Sequence, residues 1–409
     1  MAHEHLSSPE AVERRVSKIV ILGFLSAVAP LSIDMYLPAL PALSRDMHAS
    51  ASVAQLSLTA CLIGLATGQL LAGPLSDARG RRIPLLAGTA IYTIASLLCA
   101  STNSIYVLIG LRLIQGLAGS AWIVIANAIV RDLYEGHKMT EFLALLMLVN
   151  GVAPIAAPIL GGQILRFTSW HGVFIVLAAL GGLMFISVLF GLKESLPPER
   201  RHTGGLRQTA STVSLLVRDK HFIGYALSLG FIFAAMFSYI SGSPFVLQGI
   251  FGLSPQMFSV AFATNGLGII IAGQVSARLS RRYGETKVLV GGLILAGVAG
   301  LTFLLMIATG ASLVGVLPPL FFVVCCVGIV GPTATSLAMQ EQGGRAGSAA
   351  AVMGLPQMLM GALAAPLVGM MGSGADLPLG IVIPICDLAA IASYLLLVRP
   401  SRIKRRHVA

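Results

Sequence analysis

A chain of 409 residues could fold as two or three soluble domains, but 56% hydrophobic and 11% charged residues, with a mean hydropathy of +0.88, exclude that class and predict an all-α polytopic membrane protein. A net charge of +11 would point a soluble protein toward nucleic acid. Here the basic residues stand beside apolar runs, where they set topology, and no nucleic-acid partner is expected.

The polar N-terminal stretch leads into an apolar run with no small-residue cleavage site, so that run is expected to stay as the first membrane helix. A span needs about 20 apolar residues, and twelve runs qualify. In the first half they are Ile19–Leu40, Val53–Leu75, Ile83–Ala100, Ile105–Val130, Phe142–Leu165 and Val173–Leu192. In the second they are Phe222–Gly242, Met257–Leu279, Val288–Ala308, Leu313–Ala338, Gly347–Met371 and Leu379–Val398. With both termini on one side, all but three of the 27 Lys and Arg fall on that side. Arg45 and Arg166 fall on the other, and Arg112 lies inside a span. The positive-inside rule makes the crowded face cytoplasmic. The five cysteines all lie within apolar runs, without zinc or redox spacing, so no disulfide, metal site or cofactor is expected.

The one long polar interval, residues 193–220, divides the chain into a six-helix half at 1–192 and a second half with a basic tail at 221–409. Within it, Leu206–Val217 reads equally as a short amphipathic helix at the membrane surface or as an irregular loop. The halves repeat. GPLSDARGRR at Gly73–Arg82 has a weaker copy, GQVSARLSRR, at Gly273–Arg282, so Gly73, Arg81 and Arg82 have counterparts while Asp77 is matched by Ala277. Ser32, Asp34 and Pro38 likewise align with Ser238, Ile240 and Pro244. Parallel halves of this kind are a transporter plan with the substrate site near mid-membrane.

Ionisable residues deep in the bilayer are costly and therefore functional candidates. Three qualify: Asp34, Asp387 and Arg112. At about 1.5 Å per residue, Asp34 lies roughly 22 Å from the edge where its run begins. Arg112 lies roughly 10 Å from the opposite edge of a core about 30 Å thick. The two are nearly level and can pair if their helices face one cavity, either as a static ion pair or as a protonatable acid with its partner. Asp387 reads equally as a polar packing contact or a second proton site. In the Gly73–Arg82 loop, Asp77 can accept from a neighbouring helix N-terminus, and the arginines can pair with Asp132 or Glu135. The fifth run carries GVAPIAAPILGG, in which Gly151, Gly161 and Gly162 permit close packing and Pro154 and Pro158 interrupt the hydrogen-bond ladder, giving a packing face or a hinge. Met35, Tyr36, Met236, Phe237 and Asn265 are candidate cavity residues, although soft and aromatic side chains at helical spacing serve equally as packing.

These stretches together carry a resemblance. GPLSDARGRR resembles the loop signature of the major facilitator superfamily, LRLIQGLAGS (Leu111–Ser120) its fourth-helix motif with a buried arginine, and GVAPIAAPILGG its antiporter motif. With IDMYLPALP (Ile33–Pro41), they resemble the Bcr/CflA branch of bacterial drug exporters. The resemblance implies the major facilitator fold, with two pseudo-symmetric six-helix halves. It also implies proton-coupled antiport of amphiphilic drugs by alternating access in the inner membrane, with small molecules and protons as partners and a monomer as the working unit. It gives Asp34 and Arg112 the proton and coupling roles, with Asp387 a further candidate. To Gly73, Asp77, Arg81 and Arg82 it gives a cytoplasmic gate, and to Gly151, Pro154, Pro158, Gly161 and Gly162 the antiporter helix. The second half departs from the pattern at Ala277 and has no arginine in its tenth run. An exporter of an amino acid or nucleoside is the alternative. An intramembrane enzyme would need a deep nucleophile and base or a set of metal ligands, and no histidine is deep. Reporters fused within 204–208 and to the C-terminal tail should both read cytoplasmic, and an external signal from either would break the twelve-span count.

Overall fold

The structure is a computed structural model that describes residues 9–134, 136–201, 219–340, 346–369 and 377–400. Every regular element among them is helical. In chain order these are α1 (Pro9–Asp34), α2 (Leu40–Asp46), α3 (Ala51–Arg79), α4 (Arg82–Ser101), α5 (Ile105–Leu133), α6 (Gly136–Ile164) and α7 (Trp170–Gly191). There follow α8 (Lys220–Pro244), α9 (Pro255–Tyr283), α10 (Glu285–Ala308), α11 (Leu313–Met339), α12 (Ala346–Gly369) and α13 (Leu377–Ser393). Among the described residues, twelve helical segments are long and apolar enough to cross a membrane. The segment Leu206–Val217, read as a surface helix or an irregular loop, and Glu135 lie outside the described residues.

The first span is not the single helix that its hydropathy predicts. It runs Val20–Asp46 but is interrupted, because α1 stops at Asp34 and a 3-10 turn at Leu37–Ala39 leads into α2. Two prolines explain the break. Pro38 has no N–H to donate to the carbonyl of Asp34, and Pro41 has none for Leu37. The seventh span mirrors this: α8 ends at Pro244, the counterpart of Pro38, and continues as a π-turn at Phe245–Ile250. Prolines elsewhere, as in α6, α11 and α12, do not end their helices.

The chain divides into two compact units, residues 1–36 with 63–203 and residues 37–62 with 204–409. The first unit packs around Leu22, Leu25, Tyr92, Trp122, Ile125 and Val188. The second packs around Tyr225, Leu229, Leu293, Cys326 and Val330. With no water to exclude between spans, close backbone approach and dispersion hold such helices together, so small residues mark the tightest contacts. Gly68 of α3 lies on the backbone of α5, where an added Cβ would stand 2.5 Å from the carbonyl oxygen of Leu117. Its counterpart Gly268 of α9 lies against Phe321 and Cys325 of α11, so the repeat extends from sequence to packing. Gly68→Leu should therefore destabilise the detergent-solubilised protein by about 1–3 kcal/mol, read as a lowered Tm. Gly110→Leu, where an added Cβ meets nothing within 4 Å, should leave Tm unchanged.

Candidate functional site

Arg112 is fully buried in α5, and the break in the first span accounts for how its charge is held. The last carbonyls of any α-helix have no partner within the helix, and its C-terminus carries partial negative charge. One such carbonyl, that of Ser32, accepts a hydrogen bond from Arg112 Nη2 at 3.0 Å. Arg112 Nη1 donates to Gln115 Oε1. The guanidinium carbon lies 5.0 Å from the centre of the Tyr36 ring and 5.6 Å from that of Phe174, close enough for cation–π attraction to both. A wider network orients these groups. Gln115 Nε2 donates to Ser96 Oγ at 2.7 Å, and the Ser32 and Tyr92 hydroxyls are 2.5 Å apart.

Asp34 stands apart from this network. Among the described residues no ion pair joins it to Arg112, and its carboxyl, with the residue 6% exposed, has no hydrogen-bond partner. The pair that the sequence permits is not formed here, and helix geometry gives the reason. Successive residues on a helix are turned by about 100°, so Asp34 points roughly 200° around α1 from Ser32, beside which Arg112 lies. Level depth in the membrane was legible from residue counts; the shared face was not.

The other candidates fall in different places. Met35 is buried, and its backbone carbonyl receives Gly161 of α6 so closely that no Cβ would fit there. Tyr36 packs on Phe174 at 5.2 Å. Gly151 faces open space, and α6 runs unbroken through Pro154, Pro158 and Gly162. In the second unit Asn265 donates to the Tyr239 hydroxyl at 2.8 Å, Phe237 packs beside Phe233, and Met236 lies against the core. Asp387 of α13 is 1% exposed, and its Oδ2 has no hydrogen-bond partner among the described residues. That oxygen faces Gly300 of α10. Among the described residues, each unit thus holds one buried carboxyl without a cation beside it.

The Gly73–Arg82 loop gathers a polar cluster. Gly73 faces Val124 of α5. Arg81, mostly buried, donates from Nη1 to Asp77 at 2.5 Å and to Ser76 Oγ at 2.8 Å, and from Nε to Asp132 at 2.9 Å. Burial works against its charge, but the Asp132 and Asp77 carboxylates outweigh that and push the Arg81 pKa up. Arg82 Nη2 donates to the Leu189 carbonyl at 2.6 Å. Of the two acids expected to meet the arginines, Asp132 does so. The acid found at a helix N-terminus is not Asp77, whose partner is Arg81, but Glu194. Its Oε1 accepts from the backbone N–H of Arg81 at 2.8 Å and its Oε2 from that of Arg82 at 3.2 Å, capping α4. Gly80, at φ +89°, lets the chain turn there, and a Cβ would collide with that carboxylate. Glu194 was passed over in the sequence as one charge among many in a polar interval, because its partners are backbone amides more than 100 positions away.

Burial alone would raise the Glu194 pKa, but the amides of Leu196, Arg81 and Arg82, with Arg201 nearby, hold it below the ordinary 4.5. A carboxyl with a depressed folded value contributes stability above its unfolded value and loses it as pH falls through the folded one. Glu194→Gln should lower stability at pH 7 by about 1 kcal/mol, after allowance for solvent screening. Thermal melts of parent and variant should converge as pH drops below 4.5. A difference that persists unchanged into acid would show that the charge is not what matters.

Comparison with known proteins fits this geometry. The model of the Major Facilitator Superfamily matches residues 22–404. The chain is 42% identical over 366 residues to an uncharacterized MFS-type transporter, YdgK, of Bacillus subtilis (strain 168), covering 89% of this chain and 91% of that protein. It is 29% identical over 379 residues to a bicyclomycin resistance protein homolog of Haemophilus influenzae, covering 92% and 94%. With a chloramphenicol resistance protein of Pseudomonas aeruginosa the identity is 32% over 324 residues, covering 78% and 75%. The crystal structure of a mutant form of the nucleoside transporter NupG matches with a TM-score of 0.75 over 93% of this chain and 98% of that one, at 14% identity, a likeness of fold alone. Twelve spans and bacterial relatives of this kind describe a multi-pass inner-membrane transporter rather than an enzyme. The chain belongs to the major facilitator superfamily and is of the Bcr/CflA type.

Proposed function

We propose that the protein is a proton-coupled antiporter that exports amphiphilic drugs across the inner membrane by alternating access, working as a monomer with both termini cytoplasmic. The observation that carries this reading is Asp34: a buried carboxyl with no partner among the described residues, at the last residue of an interrupted helix, in the same unit as a buried cation held by other groups. An ionised carboxylate in that position has nothing to offset its desolvation, whereas a protonated one needs no counter-charge. Loss of the proton therefore obliges Asp34 to find water, Arg112 or a cationic substrate. The turn at Met35–Ala39 is where α1 can give. The resistance proteins among the relatives support a drug as cargo.

In this reading, substrate and proton exclude one another at Asp34, and the coupling is reciprocal at equilibrium. Arg112, fixed by Ser32 and Gln115, does not carry the proton and is the cation toward which the ionised carboxylate can turn. Asp387 serves as a second proton site in the other unit. The cluster of Asp77, Arg81 and Asp132 acts as the cytoplasmic gate, made and broken as the cavity turns. Gly151, Pro154 and Pro158 let α6 flex.

Asp34→Asn, nearly isosteric but unable to titrate, should insert and melt like the parent. It should lose substrate-induced proton release in detergent, and its uphill efflux in everted vesicles should fall to below about one-tenth of the parent rate. Asp34→Glu should keep part of both. Parent-level pumping by Asp34→Asn would make Asp34 structural and pass the proton role to Asp387.

A further inference from the structure

Within the first unit, α1, α6 and α7 enclose a cavity of about 660 Å³ whose lining is apolar throughout. Its floor is one face of α1 from Phe24 to Met35, its long wall is α6 from Leu148 to Ile164, and Val176 and Leu180 of α7 close the far side. Neither Asp34 nor Arg112 nor any member of their network lines it. At about 1.5 Å per residue the cavity extends roughly 16 Å along α1 and 24 Å along α6, at least one leaflet's share of a hydrocarbon core about 30 Å thick. The two helices run side by side, with Gly23 beside Val149 at one end and Gly161 on Met35 at the other.

Water is a poor tenant for such a space, because an ordered water needs two or more polar partners. The cavity is open along its side. Leu148, Val152 and Leu160 of its wall are 61%, 48% and 49% exposed, and the α6 span is only 24% buried. An apolar wall exposed within a membrane span is a surface that an acyl chain can cover. At the Ile164 end stands Arg166, which is exposed and has no ion-pair partner among the described residues. It is one of only two basic residues expected on its face of the membrane. Phe167, 88% exposed, follows it at the level where aromatic residues meet headgroups.

We infer that this groove seats one acyl chain of an anionic phospholipid whose phosphate is held by Arg166. The charge at the groove's end and the absence of any polar group along it fit a molecule with a long apolar tail and an anionic head at the interface. A transported amphiphile is the less fitting occupant, since in the groove it would touch neither the titratable acid nor its network. Lipid in this groove is compatible with any cargo and any coupling ion.

The test is native mass spectrometry of the delipidated full chain in detergent, titrated with phosphatidylglycerol. The parent should retain one phospholipid. Ala156→Trp, which fills the groove, and Arg166→Gln should each weaken that binding by at least about tenfold. Leu97→Trp, on the exposed face of α4, should not. Arg166→Gln lies outside the packed helices, so it carries the test even if Ala156→Trp fails to fold. Dodecane should still enter the Arg166→Gln protein, separating tail from head recognition. Full phospholipid affinity in either variant would overturn the inference. So would loss of bound ethidium in place of phospholipid from Ala156→Trp, which would mark the groove as a substrate pocket.

Discussion

A guanidinium buried in the middle of a membrane needs several oxygen or π partners, and in this protein the end of a broken helix supplies them. The Ser32 carbonyl that receives Arg112 lies in the last turn of α1, where carbonyls are open to donors from outside the helix. Pro38 and Pro41 interrupt the span just beyond that turn, and the chain there lays Tyr36 against the same cation. The Ser32, Tyr92, Ser96 and Gln115 network ties α1, α4 and α5 to one another around it. Packing, charge and the interruption of the span are one arrangement, and each requires the other two.

That arrangement changes how the buried acid is understood. A salt bridge between Asp34 and Arg112 would make both residues structural, at a desolvation cost that an ion pair in low dielectric only partly repays. With the cation held by dipoles and rings instead of by the acid, the acid is left poised. Its protonation state then has consequences for the backbone around it, since the neighbouring residues from Met35 to Ala39 are the least regular part of the span.

Much of the fold was legible because hydropathy and charge asymmetry are strong signals over runs of this length. The twelve spans came directly from them, and the alignment of Pro38 with Pro244 from the residue repeat between the halves. The helix break was not read, although both prolines were in view, because hydropathy does not change across Leu37–Leu40. The Arg81 partnership with Asp132 was within reach, since loops on one membrane face are neighbours. Glu194 was not, because a cap on backbone amides leaves no residue-type signature at the partner positions. The failed pairing of Asp34 with Arg112 has a similar origin. Depth follows from counting residues, while the direction in which a side chain points depends on where the helix ends and how its neighbours pack.

Arg112 keeps its charge under any condition the cell offers, whereas a carboxyl can be neutral or ionised. On the reading proposed here, the buried site of the first unit therefore alternates between a net charge of one and a net charge of zero. A site of that kind feels the membrane potential, at about 2.3 kcal/mol per charge moved across 100 mV. Turnover would then draw on voltage as well as on the pH gradient, and the share taken from each would depend on the charge of the cargo. A neutral drug exchanged for one proton moves net charge across the membrane, and a monovalent cation exchanged for one proton moves none. The same protein would thus be electrogenic with one compound and electrically silent with another, the charge of the cargo deciding which.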